Sequence, residues 1–198
     1  MSSRDIKVTQ AAMEAPPGLA SVFGRAFATE PMMYWPLGDH GNPAERFTRC
    51  FRYFLEKAIP RGTVRQAGPS IGAAVWDSPE QSENWGEHPW NQPRITRLAD
   101  DGGARYEAFW DWVYSHTPPE PLWQLDSIAV DPAYQGRGYG GALIADGLDR
   151  ARAGGVGAFL STGTEHNVTI YGRSGFRVVD EGDYPGGGPH VWFMRWEP

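Results

Sequence analysis

The sequence predicts one α/β or α+β domain with a mixed sheet, and three observations carry that prediction. Strand-type runs stand at both ends of the chain, strand and helix patterns alternate between them, and a glycine-dense turn links the strongest strand to an amphipathic helix. The chain has 198 residues, 40% hydrophobic and 21% charged. This is a globular composition, large enough to bury a core without disulfides or metal. No repeat, low-complexity block or linker divides it, so residues 1–198 are expected to form a single domain.

Each element has a local reason. Residues 6–10 alternate as a short strand, and residues 17–28 have a helical spacing that stops before Pro31. Residues 43–59 form an amphipathic helix with Pro43 at its start, apolar at Phe47, Cys50, Phe51, Phe54, Leu55 and Ala58 and ended by "PRG". Residues 63–67 and 71–76 are strands joined by the turn "GPS". Residues 78–93, rich in Pro, Asn, Glu and Trp, lack a period and read as a long loop or a loop with short turns, a feature that is commonly functional. "RYEAFWDWVYSH" has helical spacing, and "PLWQLDSIAV" is a strand ended by Asp131-Pro132. A helix over 138–153, a buried strand "VGAFLS", a short helix over 168–174, a strand over 176–180 and a last strand "HVWFMRW" complete the alternation.

Composition excludes several function classes. Net charge is -6 and the 18 basic residues are scattered, which argues against nucleic acid and is compatible with a cationic small substrate. No apolar run spans a bilayer and "MSSRDIKVTQ" lacks a signal-peptide core, so no membrane partner and a cytoplasmic location are expected. The single Cys50 rules out an internal disulfide and reads as core packing. Five histidines show no ligand spacing, so no metal is expected. A homodimer is compatible with the sequence. Of nine tryptophans, Trp76, Trp85, Trp90, Trp110 and Trp112 are close together, mostly as core and partly as pocket wall.

The stretch "AVDPAYQGRGYGGALI" carries the chemistry. Gly136, Gly138, Gly140 and Gly141 satisfy G-x-G-x-x-G literally, but "DPAYQ" separates them from the strand and no acid ends the next strand, so the dinucleotide context is wrong. No lysine follows, so it is not a Walker loop. Successive backbone N-H groups of residues 136–141 at the positive end of a helix still suit a pyrophosphate, with Gln135 and Arg137 as added donors.

Gln135-Gly136-Arg137-Gly138-Tyr139-Gly140 resembles the Q/R-x-x-G-x-G/A motif of the Gcn5-related N-acetyltransferase (GNAT) superfamily. Asn167, Tyr171 and Gly175-Phe176 in "NVTIYGRSGFRVV" resemble its second motif. "AFATEPMMYWPLGD", "GAAVWDSP", "HTPPEPLWQLDSIAVDP" and "YPGGGPHVWFMRW" are similar in order and spacing to its puromycin N-acetyltransferase-like subgroup. The resemblance implies a seven-stranded mixed sheet flanked by helices, with a splayed central strand pair, an acyl-CoA-binding core over about 122–178, and direct acetyl transfer from acetyl-CoA to a small-molecule amine acceptor, an antibiotic or another metabolite. It implies Tyr171 as the acid that protonates the thiolate, Asn167 as a CoA contact, and the backbone of Ile128, Ala129 and Val130 pairing with the pantetheine arm.

The base departs from the family pattern. Many members carry a Glu on the central strand where this chain has Gln124, which cannot take a proton, and Asp126 on the same face is the first candidate. Glu30, His116, Glu120 and His190 are alternatives. Glu30, Tyr34, Trp85, Trp90 and Gln124 are expected around the acceptor. The competing reading is a non-catalytic acyl-CoA sensor, favoured by Gln124 and opposed by Tyr171.

Overall fold

A computed structural model describes residues 6–12, 17–82, 90 and 92–198. Seven strands, β1 (Val8–Gln10), β2 (Val64–Ala67), β3 (Gly72–Asp77), β4 (Trp123–Val130), β5 (Ala158–Thr162), β6 (Arg177–Asp183) and β7 (His190–Trp196), form one sheet in the order β1-β2-β3-β4-β5-β7-β6. Every neighbouring pair is antiparallel except β4 and β5, which run parallel. The mixed sheet anticipated from the alternation is therefore present, with one parallel step at its centre.

Helices cover both faces. On one lie α1 (Pro17–Ala26), α3 (Pro43–Ala58), the short α5 (Pro93–Thr96) and α6 (Ala104–Ser115), with Phe23, Phe47, Phe51, Phe54 and Ile95 packed on Ala73, Val75 and Ala129. The stripe read from the α3 sequence is the stripe that is buried, and each fully buried Phe contributes about 1.5 to 3 kcal/mol. Asn42 starts α3, its side chain accepting the Ala44 and Glu45 N-H groups at 3.0 and 3.3 Å, with Pro43 in the first turn. Cys50 is fully buried here, and burial pushes its thiol up to about 12, which leaves it an apolar packing group.

The opposite face carries α7 (Tyr139–Ala153) and α8 (Glu165–Arg173), with Leu143, Ile144, Leu148 and Tyr171 on Trp76, Leu125, Leu160 and Met194. A third cluster at the end of the sheet joins Met32, Phe109, Val113, Phe159, Val191 and Phe193.

Three departures from the sequence reading have physical causes. Pro31 starts a helix, α2 (Pro31–Leu37), because proline is tolerated where an N-H has no helical partner anyway. The helix α8 starts at Glu165, three residues earlier than expected, because Thr164 caps it by accepting the Asn167 N-H at 3.3 Å. Within the 78–93 loop the described part holds a helical turn, α4 (Pro79–Ser82).

Candidate active site

The two central strands pair only at Trp123 with Ala158 and Gln124 with Phe159. Beyond that point they part, and β4 runs on to Val130 without β5 on that edge. A splayed pair therefore leaves the backbone edge of Ile128, Ala129 and Val130 facing a gap. Just after the point of parting, Val75 lies opposite Ser127 and Trp76 opposite Leu125, so Asp126 is an extra residue in β4. Such a bulge changes the direction in which a strand presents its groups.

At the open end of the gap, Asp131 caps a 3-10 turn (Pro132–Tyr134) and the chain enters α7 through Gly136 (φ 73°) and Gly138 (φ 90°). Both φ values lie where a side chain is strained, so glycine is required at these two positions. Gly138 offers no side chain to cap α7 and no acid stands in its first turn. The N-H groups of Tyr139, Gly140 and Gly141 thus stand without a side-chain cap at the positive end of α7. Gln135 turns one amide N-H back to the Val130 carbonyl at 3.2 Å and keeps a second donor. Arg137 lies over the Tyr134 ring at 5.3 Å on the exposed rim.

Across the gap stands Glu30, the residue before α2. Its carboxylate is wedged between α2, the end of β5 and α8. A Cβ on Gly163 would come within 2.8 Å of both Oε1 and Met32 Cγ, so only glycine leaves room for it. Asn167 Nδ2 donates to Oε2 at 3.5 Å. Burial pushes the carboxyl up from 4.5 to about 7, against the opposing pull of the Met32 and Gly163 backbone amides. Oε1 has no hydrogen-bond partner among the described residues. Tyr171, one turn along α8 from Asn167, is itself buried against Phe176. Burial first, and the Glu30 charge second, raise its phenol well above the usual value.

The other predicted residues sort themselves by contact. Asp126 Oδ2 accepts the Trp90 Nε1-H at 3.1 Å and the Ser127 hydroxyl at 2.7 Å. Trp90 is no open pocket wall. It is buried, stacked on Phe54 at 4.3 Å and edge-on to Phe51 at 5.1 Å. Trp85 lies outside the described residues. Gln124 lines a cleft of about 120 Å³ with Ser82, Phe159 and the prolines of 117–122. Tyr34 is 37% exposed, its N-H on the Glu30 carbonyl at 2.8 Å. His116 stacks on Phe193 at 4.6 Å and contacts the Trp112 carbonyl, as a helix-end residue would, while Glu120 pairs with Arg195 and His190 with Asp183. Thr164 caps α8, and the Asn167 amide turns to Glu30.

Residues 74–176 match the acetyltransferase (GNAT) family. The chain belongs to that family. The matched span covers the splayed strands, the glycine turn and Tyr171. A mycothiol acetyltransferase of Geodermatophilus obscurus is 32% identical over 130 residues, 58% of this chain and 42% of that protein. The N-alpha-acetyltransferase RimI of Mycobacterium tuberculosis is 41% identical over 63 residues, 32% of this chain and 39% of that protein. The chain spans less than half the length of the curated relatives it matches. Among solved structures, a histone acetyltransferase HPA2-related acetyltransferase of Corynebacterium glutamicum superposes with a TM-score of 0.73 at 22% identity, over 100% of this chain and 97% of that one. A Drosophila melanogaster polyamine N-acetyltransferase superposes with a TM-score of 0.58 at 17% identity, over 98% and 100%. These likenesses show the GNAT fold, a seven-stranded mixed sheet flanked by helices. The GNAT assignment makes acyl-CoA the fitting occupant of the gap, and two features suit it: the β4 edge that β5 leaves without a strand partner beyond Gln124 and the uncapped α7 amides. Among the described residues no helix is long and apolar enough to cross a membrane.

Proposed function

We propose that this chain transfers the acetyl group of acetyl-CoA to a primary amine of a small cationic molecule, with Glu30 as proton acceptor and Tyr171 as proton donor. The observation that carries the reading is the Glu30 carboxyl, buried at the splay beside Tyr171 and held near 7. A base with that affinity is half ionised at neutral pH, where general base catalysis works best.

The chemistry balances on these two side chains and solvent. The acceptor ammonium must first lose a proton, released to water, to become a nucleophile. As the new C-N bond forms and the C-S bond breaks, nitrogen gives up a second proton and the departing thiolate gains one. Glu30 takes the proton from nitrogen and the Tyr171 phenol gives one to sulfur. A phenolate is the far stronger base, so the proton returns from Glu30 to Tyr171 and the site is reset. The backbone of Ile128, Ala129 and Val130 supplies strand-like hydrogen bonds to the pantetheine arm, and the residue 136–141 amides, with Gln135 and Arg137, take the pyrophosphate.

The net charge of -6 is compatible with a cationic acceptor. The resemblance to the puromycin N-acetyltransferase-like subgroup makes amine-bearing antibiotics one acceptor class to try. Polyamines are another, since that is what the fly protein acts on. The test is thiol release from acetyl-CoA over aminoglycosides, nucleoside antibiotics, amino acids, polyamines and arylamines. Release with one class, abolished by Glu30→Gln, is expected. No release with any amine, in a protein that acetyl-CoA still protects from thermal unfolding, would return the chain to the acyl-CoA sensor reading.

A further inference from the structure

Arg46 is a buried charge that acetyl transfer does not use. It is 2% exposed, on the inner face of α3, and burial lowers its affinity for its proton. A buried cation is costly unless its donors are well placed, and here the two terminal nitrogens converge on one loop while Nε has no partner among the described residues. Nη2 donates to the Gly38 carbonyl, and Nη1 meets both the His40 carbonyl at 2.8 Å and the His40 Nδ1 at 2.9 Å. Gly38 is the residue that ends α2, with φ 85°, and a Cβ there would run into the Asp100 carboxylate. Asp100 in turn contacts His40 and lies 3.6 Å from Arg105, whose guanidinium covers the Trp35 ring at 5.4 Å.

The helix between these contacts and Glu30 has seven residues, one of them Pro36, and no side-chain cap at its start. A helix this short has no stability of its own and takes its position from what holds its ends. We propose that Arg46 is a positioning residue: by clamping the Gly38 and His40 carbonyls it sets α2 as a rigid piece and so places the Glu30 carboxylate at the other end. This rests on the assignment of Glu30 as the base.

The experiment follows the Glu30 carboxyl by carbon NMR in protein labelled with 13C at the glutamate side-chain carboxyl, its signal assigned with Glu30→Gln. Wild type is expected to titrate near 7. Arg46→Met is expected to lower that midpoint by about one unit or more, to cut thiol release with spermidine or agmatine by about tenfold or more, and to leave the acetyl-CoA dissociation constant unchanged. Arg46→Lys should recover part of both effects, and Asp100→Asn, at a half-exposed site, should move the midpoint in the same direction by less. If Arg46→Met does not fold, Asp100→Asn decides by the same midpoint. A wild-type midpoint near 4.5 overturns the base assignment itself. A wild-type midpoint near 7 that neither folded variant moves overturns the positioning role alone, as does a parallel loss of acetyl-CoA binding in Arg46→Met.

Discussion

Glu30→Gln tests the site through stability as well as rate. A carboxyl held at about 7 in the folded chain and near 4.5 when unfolded favours the folded state only in its protonated form. Between those values the native chain binds more protons than the unfolded one, so stability falls as pH rises and stops falling above 7. The full shift is worth about 3 kcal/mol, and the part lost between pH 5.5 and 8.5 is about 2 kcal/mol. Glutamine has nearly the same shape and no charge to desolvate. Relative to wild type, Glu30→Gln should therefore gain about 2 kcal/mol from pH 5.5 to 8.5, or roughly 4 to 8 °C in Tm for a chain of this size. Urea unfolding followed by tryptophan fluorescence at the two pH values measures the difference. Thiol release measured alongside should lose the acid limb near pH 7 and fall by about a hundredfold or more. A stability difference that does not change with pH would refute the buried, raised carboxyl, and an unchanged rate would refute its catalytic role.

Tyr171→Phe should lower kcat by about a hundredfold with little change in acetyl-CoA affinity, read by steady-state kinetics and calorimetry, because it removes a donor to sulfur and almost no volume. Asp126→Asn should keep the acid limb of the kcat/KM profile in place while weakening the acceptor KM, since its carboxylate is occupied by Trp90 and Ser127; a vanished limb would restore Asp126 as the base. Gly163→Ala places a methyl 2.8 Å from Glu30 Oε1 and Met32 Cγ, so kcat should fall while binding of acetyl-CoA, measured by calorimetry, persists. Gly138→Ala, at φ 90°, should cost about 1 kcal/mol of stability and raise the acetyl-CoA KM, because αL geometry and the free α7 amides depend on the same residue.

Local physics accounts for what was legible in the sequence. The α3 stripe, the β4 run and the glycines before α7 each express their role within one element, through spacing, β-type composition and φ, so the fold class and the glycine turn into α7 could be read from short windows. The helix α2 escaped because seven residues with Pro31 and Pro36 show no period, and its only signal was a proline fit for a first turn. Glu30, in the sequence one alternative base among four, did not stand out for a different reason. Asp126 shares the strand with the pantetheine edge and looks well placed in sequence, yet Trp90, thirty-six positions away, occupies it. Glu30 becomes basic only because β5, α8 and α2 close around it, with Gly163 and Asn167 at its oxygens. Proton affinity depends on burial and on partners distant in the chain, and these are set by tertiary packing, so the sequence by itself determined the fold class and the glycine turn before α7, while only the folded structure raised the Glu30 carboxyl that we propose as the base.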